Sequence, residues 1–158
     1  MHTNAEDFMR EAIELARKGM QKGDGGPFGC IVVKDGVIVG RGWNKVTSTH
    51  DPTAHAEVTA IRDACQHLNT FQLTGCEIYT SCEPCPMCLG AIYWARPDKV
   101  YFGATHVDAA DAGFDDSFIY EEIRKDIDSR TICCTNVSRS EAVQVFHEWK
   151  AKEDKTHY

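Results

Sequence analysis

The chain has 158 residues, 42% of them hydrophobic and 26% charged, a length and balance that suit one globular domain and exclude a wholly disordered chain. With 17 basic against 24 acidic side chains the formal charge is −7, and no long Lys/Arg run supplies the basic stripe on which phosphate binding rests, so no nucleic-acid partner is expected. No apolar run approaches the roughly 18 residues of a membrane span, and the polar N-terminus is unlike a secretion signal, so no membrane partner and a cytosolic location are expected.

Thr3 and Glu6 have the spacing of a capping box, opening a helix that runs to about Gly19 with Phe8, Ala12, Ile13, Leu15 and Ala16 at helical intervals. Gly23 to Pro27 is a breaker cluster and must be a loop. Phe28–Lys34 and Val37–Trp43 are β-branched runs around Asp35-Gly36, a strong hairpin signal. Asp51-Pro52-Thr53 is expected to open a second helix, whose buried face is Val58, Ile61, Ala64, Cys65 and Leu68. A strand from Cys76 to Thr80, a short helix to about Ala95 and a strand from Lys99 to Ala104 follow. The acidic stretch from Val107 to Asp128 reads as helical after Phe114, and Thr131–Val137 as the last strand. Ser138 and Glu141 form a second expected capping box, for a helix ending near Lys152. Helices interleaved with strands require a sheet covered on both faces, so the expected fold is α/β: a three-layer α/β/α sandwich on a mixed five-stranded sheet, in a single domain over residues 1–158.

Two segments carry chemistry. His55-Ala56-Glu57 lies near a helix start, and Pro84-Cys85-Pro86-Met87-Cys88 leads into the next helix. One His and two Cys are ligands that zinc prefers, and three protein ligands with one position left open mark a catalytic site. The eight cysteines therefore read as thiols and metal ligands rather than a disulfide framework. Helix N-termini favour thiolate, the form that binds metal. Zinc lowers the pKa of water to about 7, and a Glu two positions from a ligand can take that proton and pass it to a leaving group. The H-x-E…P-C-x-x-C pattern is the known signature of zinc deaminases. Two blander readings stand beside it: a structural zinc closed by Cys82, and an iron–sulfur site on Cys82, Cys85 and Cys88. The Glu57 spacing weakens the first, and the lack of a distant Cys-Pro weakens the second.

Pro52-Thr53-Ala54-His55-Ala56-Glu57 and Cys82-Glu83-Pro84-Cys85-Pro86-Met87-Cys88 resemble the cytidine deaminase-like superfamily. Within it, Gly25-Gly26-Pro27-Phe28-Gly29 and Gly113-Phe114-Asp115-Asp116-Ser117-Phe118 are similar to the bacterial guanine deaminases, from about Met9 through Ile132 and again at Tyr158. Cys30 and the Cys133-Cys134 pair depart from that pattern. The resemblance implies Zn2+ held by His55, Cys85 and Cys88, with Glu57 as the catalytic acid–base. It also implies a purine base held by Phe28, Asn44, Trp94, Asp116 and Tyr158. By default those five are core aromatics, a turn residue, a solvated acid and a frayed terminus. The expected reaction is guanine to xanthine and ammonia. Guanosine, cytosine and tRNA adenosine deaminases are the enzyme alternatives, and a noncatalytic zinc module is the alternative of a different class. A homodimer that exchanges its C-terminal segments is implied in the same way. Val143, Val145, Phe146 and Trp149 suit such docking, and the polar tail ends in the bulky Tyr158.

Overall fold

The computed structural model describes residues 4–158, which form two compact units, the first ending at Asp116 and the second Ser117–Tyr158. In the first unit, α1 (Ala5–Lys22) precedes a hairpin of β1 (Gly29–Lys34) and β2 (Val37–Trp43), and a short turn of helix, α2 (Val46–Thr49), follows. Then come α3 (Ala56–Leu68), β3 (Cys76–Cys82), α4 (Pro86–Ala95), β4 (Lys99–Ala104) and α5 (His106–Asp111). The second unit holds α6 (Ser117–Arg124), a 3-10 turn at Ile127–Ser129 and α7 (Arg139–Ala151). Thr3 lies outside the described residues. The cap of α1 is Asn4, whose side chain accepts from Asp7 N while Asp7 reaches back to Asn4 N.

The sheet has four strands among the described residues, in the order β2-β1-β3-β4, with β1 antiparallel to both neighbours and β3 parallel to β4. Alternation along the strands separates the two faces. Ile31, Val33 and Tyr79 pack with Phe8 and Ala12 of α1. Cys30, Val32 and Ile78 pack with Ala56, Ala60 and Ala64 of α3 and with Ile92 of α4. Helices thus cover both faces of the sheet, as expected.

The expected fifth strand is absent, and residues 131–137 are irregular. The backbone N–H of Thr131 donates to Glu122 Oε2 at 2.7 Å and its hydroxyl to Glu122 Oε1 at 3.0 Å, so a side chain takes the donor that a ladder needs. Ser138 forms no capping box: it sits at φ 53°, in the left-handed region, with no side-chain cap bond. Asp51 closes a turn instead of a helix, since its carboxylate accepts from Thr53 N at 2.8 Å and α3 begins only at Ala56. The deepest positions of α3 are small. A Cβ at Gly42 would lie 2.3 Å from Ala56 O and 2.4 Å from Ala60 N, so glycine is what lets α3 approach β2 this closely. No helix is long and apolar enough to cross a membrane among the described residues.

Candidate metal and catalytic site

The close seating of α3 on β2 fixes where its N-terminus points. His55 is the N-cap of that helix, and Glu57 lies in its first turn. Across the sheet, β3 ends at Cys82, two residues follow, and Cys85 becomes the N-cap of α4 with Pro86 at the first helical position. Cys88 occupies the first turn of α4 and is buried. Two helix N-termini, each with partial positive charge, therefore bring the three side chains together. His55 Nδ1 is 3.5 Å from Cys85 Sγ and 3.5 Å from Cys88 Sγ, and the three donor atoms lie within 4.8 Å of one another.

These spacings suit zinc. Tetrahedral zinc bonded to sulfur at about 2.3 Å and to nitrogen at about 2.0 Å separates the two donors by roughly 3.5 Å. One thiol of the pair is disposed to ionise even without a metal. A hydrogen bond from the Cys88 thiol, more than the one from His55, holds the Cys85 thiol far below its ordinary range. Cys88, which keeps the shared proton, is pushed up by that bond and by burial. The bond to Cys85 raises His55. Cys82 stays outside the cluster: burial first, and then the charges of Glu57 and Glu83, push its thiol up to about 11, and it points to Thr105 O at 3.7 Å. That leaves the set at three ligand-type groups among the described residues.

Glu57 is 6% exposed, and burial raises its carboxyl above the usual range, while its own backbone N–H partly offsets the rise. Thr80, a residue the sequence reading passed over, lies 3.2 Å from Glu57 Oε1 with its hydroxyl. Its signal was a polar side chain in register with Ile78 on the buried face of a strand. Glu83 was also missed. Its Oε2 accepts from His106 N at 2.9 Å and pairs with His106 Nδ1 at 2.8 Å, tying the end of β3 to the start of α5. Twenty-three residues separate that pair, so no local pattern could reveal it.

Of the expected substrate contacts, Phe28 is half-buried and meets Phe114 edge-on, with ring centroids 5.0 Å apart at 86°. Asn44 is buried, and its Oδ1 accepts from Val46 N at 3.1 Å and Gly26 N at 3.3 Å, which leaves the amide N–H2 as its recognition group. Asp116 is half-buried. Its carboxyl is raised by burial first and then by the charge of Cys85, so it feels the thiolate of the cluster. Trp94 is 65% exposed on α4, one and two-thirds turns beyond Cys88, and therefore leaves a different face of the helix. Tyr158 is exposed and belongs to the second unit.

Residues 2–104 match the zinc-binding region of the cytidine and deoxycytidylate deaminases. The guanine deaminase of Bacillus subtilis is 56% identical over 155 residues, covering 98% of this chain and 99% of that one. Its X-ray structure aligns over 99% of both chains with a TM-score of 0.96. A guanine deaminase structure from Nitrosomonas europaea is 30% identical, covers 95% of this chain and 86% of that one, and gives a TM-score of 0.69. The tRNA-specific adenosine deaminase of Aquifex aeolicus is 46% identical over 99 residues, covering 63% of this chain and 65% of its own length. A converging His-Cys-Cys set with a buried acid beside it, on a chain matched end to end, has one reading: the chain belongs to the cytidine deaminase-like zinc deaminases, on the branch of the bacterial guanine deaminases.

Proposed function

We propose that this protein deaminates guanine, turning guanine and water into xanthine and ammonia with a zinc ion held by His55, Cys85 and Cys88. The observation that carries the reading is the buried Glu57, which stands beside the three converging donors without being needed as a fourth ligand. A structural metal site has no use for such an acid. Zinc bound there supplies Lewis acidity and makes water a competent nucleophile near neutral pH.

The protein's own groups do the rest. The Glu57 carboxylate takes the proton of the attacking water, delivers it to the ring nitrogen beside the amine-bearing carbon, and assists departure of ammonia. Phe28, braced by Phe114, stacks on the flat purine, and its contribution is orientation. The Asn44 N–H2 donates to an acceptor on the base edge, and Asp116 accepts from guanine N–H groups. The relatives support a purine: a further solved relative, 30% identical, is a complex with 8-azaguanine. The match to the tRNA deaminase spans 99 residues, whereas the match to the Bacillus guanine deaminase spans 155 and so includes the second unit.

Two copies complete the enzyme in this proposal. No residue of α6 or α7 is buried, and Phe118, Val145 and Phe146 are 60%, 63% and 67% exposed. Such apolar surface is covered when a second copy docks on it. The single deaminase domain is then completed by exchange of C-terminal segments, with Tyr158 closing over the base. A lid of this kind excludes a ribose and so favours guanine over guanosine. The charge of −7 and the eight free cysteines accord with a free base in a reducing cytosol rather than with nucleic acid. The test is release of xanthine and ammonia in equal amounts from guanine by the zinc-loaded protein. A protein that leaves guanine unchanged contradicts the proposal.

A further inference from the structure

Thr80 is 1% exposed on β3, and its hydroxyl has two oxygen neighbours: Glu57 Oε1 at 3.2 Å and the Cys82 carbonyl at 3.1 Å. A hydroxyl carries one proton, so it donates to one of them at a time. The carboxylate is the stronger acceptor because charge-assisted bonds exceed neutral ones. We propose that Thr80 is a positioning residue for Glu57: its hydroxyl anchors Oε1, fixes the carboxylate plane beside Cys88, and leaves Oε2 as the oxygen that moves protons. The proposal rests on the reading of Glu57 as the proton carrier.

Three features support it. Glu57 has three side-chain torsions, and a buried carboxylate held only by its own stem would sample several orientations. Thr80 and Glu57 come from different elements, so the bond links α3, which bears His55, to the strand that leads toward Cys85. The Cys82 carbonyl gives the hydroxyl a second place to donate. When Glu57 carries the proton on Oε2, Oε1 is neutral and a weaker acceptor, and the hydroxyl can share its proton with that carbonyl instead. The Thr80 hydroxyl thus keeps an acceptor at either stage of the proton cycle.

The experiment compares Thr80→Val, Thr80→Ser and Glu57→Gln in the zinc-loaded enzyme, reading kcat and KM for guanine, zinc content and thermal midpoint. Thr80→Val is expected to lower kcat roughly ten- to a hundredfold, the range found when the orienting partner of a metal-site group is removed. KM and the one zinc per chain should stay as in the parent, and Thr80→Ser, which keeps the hydroxyl, should recover the rate. A valine variant with the parent kcat overturns the proposal. So does one that loses zinc along with activity, since Thr80 would then serve the metal site's architecture. If valine prevents folding, Thr80→Ala against Thr80→Ser makes the same comparison. Normal turnover by Glu57→Gln would instead remove the proton-carrier reading itself, whatever the Thr80 variants show.

Discussion

At Glu57 the protein keeps a carboxyl 6% exposed, with its ionised form disfavoured by burial and partly restored by its own backbone N–H. Burial of this kind makes the carboxylate a stronger proton acceptor than an exposed one, which suits general-base work. Glu57→Gln keeps the shape and a hydrogen-bonding oxygen but removes the proton traffic. Zinc should remain at one per chain while kcat falls by about two to four orders of magnitude, measured as xanthine formation beside metal analysis. The cluster around this residue was legible in the sequence because its parts are local. His55 and Glu57 are two apart, Cys85 and Cys88 three apart, and each pair sits at a helix start. Thr80 and the Glu83–His106 pair were not legible, because their partners lie 23 residues away and meet only through the fold.

Elements place these residues, and the contact of α3 with β2 is the most demanding of them. A methyl at Gly42 would press within 2.3 Å of a backbone oxygen, which no side-chain rotation can relieve. Gly42→Ala should therefore cost about 1–3 kcal/mol and lower the thermal midpoint by about 2–10 °C. The same change at Gly90 of α4, where an added methyl meets nothing within 4 Å, should be neutral or stabilising. Comparing the two melting curves checks whether close approach, rather than loss of glycine as such, sets the cost. The positions of the first four strands were readable from β-branched runs and the Asp35-Gly36 turn. The fifth failed for a physical reason. Residues 131–137 have strand-like composition, but Glu122 captures the Thr131 N–H, and Ile132 and Val137 remain 79% and 75% exposed. Strand propensity describes a fit to a half-buried sheet and cannot by itself supply a neighbour. Asp51 misled in a similar way: its carboxylate caps a turn at Thr53, and the helix waits until Ala56.

For the whole molecule, the proposed dimer makes each site depend on two chains, and that dependence can be exposed by mixing. One chain carries Glu57→Gln with an intact tail. The other has an intact Glu57 but lacks His157 and Tyr158. Each homodimer should be nearly inactive toward guanine. Unfolded together and refolded, a statistical mixture should regain about a quarter of the parent activity, because half the dimers then hold one complete site. A mixture no more active than its parents removes the exchanged tail while leaving the zinc deaminase chemistry in place.

Which base the enzyme takes is the central claim, and one panel decides it. Zinc-loaded protein is given guanine, guanosine, cytosine, adenine and an adenosine-containing tRNA anticodon stem under one set of conditions, and ammonia release is followed. Guanine should be turned over far faster than every other member, with xanthine appearing in step. Faster release from guanosine, cytosine or the tRNA, with guanine left intact, would contradict the account.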